Sequence, residues 1–246
     1  MSENNFDRDL QQEIFPTQYL QHYFFPYLEK IYGANIEIIQ DIERQLEGID
    51  LILNYNTSSK INYIDIKTQL NNYIANPTPT FCLELSYIKD NVIKDGWLIK
   101  ENLKTTMWML GWIHNSNYVL INKNKQLTNF NDIRNLEIMC IEKQKTLTYL
   151  NDLGLTKQKL KEINDYIRTN HISKCFYDYT IGKFVSNKTL NTFTFTCSYF
   201  LPEQCINLVI PKYIWEKLCS AHYFIKQDKI KILKENNKLM EKMYYA

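Results

Sequence analysis

Apolar residues recur along the chain with two periods, and the switch between them marks out its elements. In residues 17–32, Leu20, Phe24, Leu28 and Ile31 fall at helical spacing. Pro16 suits the first turn of that helix, Pro26 should kink or divide it, and Gly33 should end it. The period then drops to two. Residues 35–41 predict a strand through Ile36 and Ile38, and residues 48–54 a second. The polar tract 54–60 reads as a turn, 61–69 as a third strand, and 81–87 as a fourth after a loop containing Pro77 and Pro79. Segments 97–99, 107–113 and 118–121 are apolar, and the middle one is compatible with a helix.

Beyond about residue 150 the pattern repeats in other proportions. Residues 156–167 predict a helix with Leu160, Ile163 and Ile167 on one face. In 191–200, Phe193, Phe195, Cys197 and Tyr199 alternate with Thr192, Thr194, Thr196 and Ser198, as in a half-buried strand. Residues 205–210 form a further predicted strand, and Pro211 opens a helix carrying Ile214 and Leu218. The Lys-rich tail, 226–242, is expected to be a terminal helix. These elements predict an α/β core, a mixed sheet flanked by helices, over residues 1–145. Residues 146–246 are expected to form an α+β extension packed on it.

Composition narrows the class. The 246 residues are 45% hydrophobic and 14% aromatic, enough to bury a sizeable core, so disorder is expected only at the extreme termini. The net charge is +2, yet the first fifty residues are acidic and the remainder basic. A basic remainder fits a phosphate backbone, and equally a solvated, Lys-rich surface. Six cysteines include no Cys-x-x-Cys pair, and the four histidines do not cluster with them, which argues against structural zinc. The polar, acidic start does not read as a signal peptide, and no stretch reaches the roughly 18 apolar residues of a membrane span. A cytoplasmic protein without a membrane partner is expected. No P-loop, Rossmann fingerprint or Gly-x-Ser-x-Gly occurs.

The chemistry lies in residues 45–87. Asp50 sits in the apolar run Gly48-Ile49-Asp50-Leu51-Ile52-Leu53, where a carboxylate is costly unless something pairs with it. In Tyr63-Ile64-Asp65-Ile66-Lys67-Thr68-Gln69, the residues Asp65, Lys67 and Gln69 share one strand face. The turn at 54–60 makes the two strands hairpin neighbours, bringing Asp50 towards Asp65. Two carboxylates at that range suit Mg²⁺, and an adjacent ammonium can hold an attacking water. Glu84, facing with Cys82 and Ser86, could approach the same spot if its strand pairs beside Asp65. The plain alternative is a surface hairpin with an ordinary Asp65–Lys67 pair, which leaves Asp50 unexplained. Trp97, Trp108 and Trp112 read as packing residues, and the histidines form no recognisable catalytic set.

This pattern resembles the motif of the restriction-endonuclease-like, or PD-(D/E)xK, nucleases: an Asp at a short strand, then Asp/Glu-x-Lys on its neighbour. Here it reads Gly48-Ile49-Asp50 and Asp65-Ile66-Lys67, with Ile49 replacing the usual Pro. Gln45, three residues before Gly48, and the trailing Gln69 are also similar to members of the superfamily. The resemblance covers roughly residues 36–87. It implies a restriction-endonuclease-like core, and Mg²⁺, replaceable by Mn²⁺, held by Asp50, Asp65 and the Ile66 carbonyl. Lys67 then serves the water, and Gln69 and Glu84 support the site. A helical acid near the N-terminus, Glu13 or Glu29, joins the metal in some members. The implied activity is phosphodiester hydrolysis, most readily in DNA, in restriction, phage defence or mobile-element maintenance, with a homodimer suited to cutting both strands. The alternative is a non-catalytic nucleic-acid-binding or assembly protein on the same fold.

Overall fold

The computed structural model describes residues 5–70, 77–115, 127–235 and 238–245. It is a mixed α/β chain in which strands predominate. In chain order, helices α1 (Asn5–Tyr23) and α2 (Phe25–Tyr32) precede β1 (Ala34–Ile38), α3 (Ile42–Leu46), β2 (Leu51–Tyr55) and β3 (Ile61–Gln69). Then come β4 (Thr80–Lys89), β5 (Val92–Asp95), β6 (Met107–Ile113), β7 (Asn135–Glu142), α4 (Lys143–Asp152) and α5 (Lys157–Thr169). Strands β8 (Lys174–Asp178), β9 (Lys183–Val185), β10 (Thr192–Cys197) and β11 (Ile206–Pro211) lead into α6 (Lys212–Leu218). Strands β12 (Ala221–Lys226), β13 (Lys229–Glu235) and β14 (Lys238–Tyr245) follow.

Two compact units share the chain, and they interleave. The first holds residues 1–78, 104–143 and 216–246; the second holds 79–103 and 144–215. The division expected near residue 145 therefore marks one of several crossings, and the C-terminal strands belong with the N-terminal ones.

The first unit is built on an eight-stranded sheet of order β1-β2-β3-β6-β7-β12-β13-β14. Strand β6 runs parallel to β3, and the other pairs are antiparallel. Helices α1 and α2 lay Tyr19, Leu20, Phe24 and Leu28 against one face, meeting Leu51, Leu53, Ile64, Met109 and Ile138. Pro26 divides the two helices by standing in the first turn of α2, where a missing N–H costs nothing. Gly33 then ends α2 at φ 61, its N–H bonding to carbonyls of the last turn. The first helix begins well before the predicted residue 17 and carries Pro16 inside it.

Two segments depart from a helical reading, each for its own reason. Residues 107–113 form a strand, not a helix, buried along its whole length. A strand buried on both faces shows no alternation, so periodicity cannot tell it from a buried helix. The Lys-rich tail is also sheet: Ile230, Ile232 and Lys234 alternate with Lys229, Lys231 and Leu233, and β14 pairs back on β13. Segment 118–121 lies outside the described residues.

The second unit is a six-stranded antiparallel sheet, β5-β4-β11-β10-β8-β9. It is accompanied by α5, whose buried face is the predicted Leu160, Ile163 and Ile167. Arg168 of α5 bonds the Ser86 hydroxyl and the Gln204 carbonyl, tying the helix to β4 and the turn before β11.

Candidate active site

Three local features of the first unit bring Asp50 to Asp65. The first is the end of α3. Gly48 adopts φ 77. Its N–H bonds the Gln45 carbonyl at 2.9 Å, and the Ile49 N–H bonds the Arg44 carbonyl at 3.2 Å. This is a Schellman cap, in which glycine takes the left-handed position without a Cβ penalty. Gln45 Nε2 adds a bond to the Ile39 carbonyl at 2.8 Å, and the Thr105 hydroxyl one to the Gly48 carbonyl at 2.7 Å. The cap commits the Ile49 amide to α3, so it does not bond to β3.

The second feature is register. The register ends with Leu51 opposite Ile64, which leaves Asp50 beside the stretch of β3 that carries Asp65. The Asp50 N–H donates to the Ile64 carbonyl at 2.9 Å. There the ladder stops. The next amide on β3, Ile66 N–H, donates at 2.7 Å to Asp50 Oδ2 in place of a backbone carbonyl. A residue's N–H and C=O leave a strand on the same edge, so the Ile66 carbonyl also opens beside the Asp50 carboxyl.

The third is alternation along β3. It places Asp65, Lys67 and Gln69 on one face and Ile64 and Ile66 on the other. Asp65 is only 3% exposed. Lys67 Nζ stands 2.8 Å from Asp65 Oδ1, and its side chain stays 28% exposed, so the ammonium keeps a path to solvent.

The electrostatics follow from this crowding. Asp65 lies close enough to Asp50 to disfavour a charge on its carboxyl. Burial pushes the Asp50 pKa up to about 7; Lys67 and the Ile66 amide pull it down, and Asp65 pushes it further up. Burial works against the Lys67 charge, but Asp65, Glu13 and Asp50 outweigh it and hold that pKa above the ordinary lysine value. Glu13, on the exposed side of α1, is thus near enough for its charge to act on Lys67. Glu29 lies on α2 at an exposed position.

The remaining predicted residues divide. Gln69 ends the row of Asp65 and Lys67 on β3, but its amide grips Thr78: Nε2 donates to the Thr78 hydroxyl at 2.9 Å, and Oε1 accepts from the Thr78 N–H at 3.0 Å. It fastens the chain where β3 ends. Glu84 does not join the row. Strand β4 pairs with β5 and β11 in the second unit's sheet, where Glu84 faces Asn207. The neighbours of β3 are β2 and β6, with Trp108 opposite Asp65. Trp108 and Trp112 are fully buried, as packing residues should be.

One constellation escaped the sequence. Glu137, 4% exposed on β7, bridges two histidines: Oε2 lies 2.8 Å from His114 Nε2, and Oε1 lies 2.7 Å from His222 Nε2. The available signal was a glutamate within the apolar strand Asn135–Glu142. Its partners come from β12 and the end of β6, so only the strand order identifies them.

The donor set at Asp50, Asp65 and the Ile66 carbonyl fits a hard divalent cation, which takes oxygen ligands and often only one or two carboxylates from the protein. Among the described residues, no group of three or more His, Cys, Asp or Glu side chains is arranged to hold a metal ion. The protein's share of such a shell would be these two side chains and a carbonyl. No helix of the described residues is long and apolar enough to cross a membrane. The chain matches no family model, no curated protein and no solved structure at a significant level.

Proposed function

We propose that the chain is a divalent-metal-dependent nuclease of the restriction-endonuclease-like kind, hydrolysing phosphodiester bonds in DNA. The observation that carries this reading is the convergence of Asp50, Asp65 and Lys67: two neighbouring carboxyls with an ammonium 2.8 Å from one of them. A paired surface Asp and Lys would not need a second, half-buried acid beside them. The mixed sheet supports it as well, since Asp65 lies on β3, Asp50 immediately precedes the adjacent antiparallel β2, and helices cover one face.

Asp50, Asp65 and the Ile66 carbonyl would hold Mg²⁺, with Mn²⁺ able to replace it. When bound, the ion supplies positive charge against the negative charge that develops on the phosphate and leaving oxygen. Lys67 holds and orients the attacking water through its ammonium protons, and its charge stabilises incipient hydroxide. Asp65 fixes Lys67 for that task through their ion pair. Gln69 acts indirectly, by anchoring the end of β3. Two-fold pairing of the chain would let one assembly cut both strands of a duplex.

The test uses plasmid, linear duplex DNA and RNA, incubated with the protein in Mg²⁺ or Mn²⁺. Wild type is expected to cleave DNA, and Asp65→Ala and Lys67→Ala to reduce cleavage by at least about a hundredfold. Mg²⁺ or Mn²⁺ should raise the melting temperature of wild type and leave that of Asp65→Ala unmoved. Cleavage indifferent to Lys67→Ala, or no cleavage of any substrate in either metal, would overturn the reading.

A further inference from the structure

The face of the eight-stranded sheet opposite Asp65 and Lys67 holds a cavity of about 360 Å³, within the range of small-molecule sites. Its position follows from register: Met107 and Met109 of its floor lie beside Ile64 and Ile66, whose side chains point away from the Asp65 row. Four aromatic residues, Phe24, Tyr32, Tyr55 and Tyr223, line it together with Glu235. We propose that this cavity binds an organic ammonium ion with an apolar body. The proposal stands independently of the nuclease reading.

Three observations carry it. The first is the pairing of ring faces with a carboxylate. Aromatic faces attract cations, and do so best where water is excluded. Phe24 and Tyr223 pack at 4.9 Å between centroids and so form a continuous aromatic wall. The Tyr32 hydroxyl donates to Glu235 Oε1, while Oε2 accepts from no partner among the described residues. The carboxylate is thus fixed in place with one oxygen to offer.

The second is a set of unanswered hydroxyls. Tyr223 is 5% exposed, yet its hydroxyl has no hydrogen-bond partner among the described residues. Tyr223 lines the cavity together with Cys140, Tyr32, Glu235 and Tyr55. Its hydroxyl therefore stands at the cavity wall. The Tyr55 hydroxyl is likewise without a partner among the described residues. A hydroxyl oxygen open to the cavity in this way can accept a hydrogen bond from an ammonium N–H.

The third is the sign of the charge. Lys60 is the one basic residue of the lining, and it lies 3.8 Å from Glu142, also in the lining. With Glu235 the walls are net negative. That disfavours a phosphate or carboxylate and favours a cation over a neutral molecule of the same shape.

The experiment is calorimetric titration of the full chain with choline and with butylammonium, each beside its neutral counterpart, 3,3-dimethylbutan-1-ol or butan-1-ol. Each cation is expected to bind at least tenfold more tightly than its counterpart. Glu235→Gln should weaken both cations at least fivefold. Tyr223→Phe keeps the ring and removes the hydroxyl, so it should weaken butylammonium and leave choline, which has no N–H, unchanged. Equal binding of cation and alcohol, affinity indifferent to Glu235→Gln, or no binding of either cation would overturn the proposal. Far-UV circular dichroism separates loss of binding from loss of fold.

Discussion

At the scale of the residue, Asp50 is an acid buried beside a second acid, and pH decides its charge. Asp50 titrates at about 7 in the folded chain against 3.8 when exposed. The folded state therefore binds the proton more tightly between those values. The stability this contributes is complete below about pH 4 and is lost as pH rises through 7. Without divalent metal, unfolding free energy should fall across that window by up to about 4 kcal/mol, because each step of one in pH costs roughly 1.4 kcal/mol. Asp50→Asn removes the titrating group and should flatten the decline, making the variant more stable than wild type at pH 8. Urea unfolding with a chelator present, at pH 5 and pH 8, checks this, and parallel behaviour of the two proteins would refute it. The Glu137 carboxylate is a different case, since it already has an imidazole on each oxygen.

At the scale of the element, Gly48 does more for the site than its size suggests. Its left-handed backbone closes α3 and sends the chain into β2 one step out of line, which frees the Ile66 amide for Asp50. Gly48→Ala should destabilise the protein by about 1–2 kcal/mol, the ordinary cost of a Cβ in that conformation. It should also weaken Mn²⁺ binding, as read by metal-dependent melting shifts. Unchanged metal affinity would separate the cap from the site. Much of this element was legible beforehand. Strand β3 falls on the predicted residues because Ile64 and Ile66 alternate with Asp65 and Lys67. The spacing of Gln45 and Gly48 was visible too, but not its cause, because a Schellman cap is defined by backbone bonds. Glu84 was misplaced because alternation assigns a residue to a face and says nothing about which sheet the strand enters. The tail was misread because lysines every second residue look the same on a solvated helix as on a sheet edge, and only Ile230 and Ile232 betray the shorter period.

At the scale of the molecule, the chain leaves the first unit after residues 78 and 143 and returns to it at 104 and 216. Local pattern cannot reveal this, because it carries no information about which distant strands pair. The consequence can be tested by truncation. A fragment of residues 1–145 lacks β12, β13 and β14. It would expose the edge of β7, together with Tyr223-facing core such as Phe24. It should aggregate or stay unfolded, as judged by circular dichroism and limited proteolysis, whereas the full chain resists digestion. A cooperatively folded fragment would show that the C-terminal strands are dispensable.

The hairpin from β2 to β3 has one more implication, for the order of events as the chain is made. Both aspartates leave the ribosome within a short stretch of synthesis and can meet through a local turn. Strand β12, which covers the far edge of β7, is translated much later. A nascent chain thus holds both acids on one hairpin before the strands that complete the sheet exist. On the nuclease reading, a hydrated magnesium ion would reach the pair at that stage and would clamp the hairpin before the rest of the sheet closes.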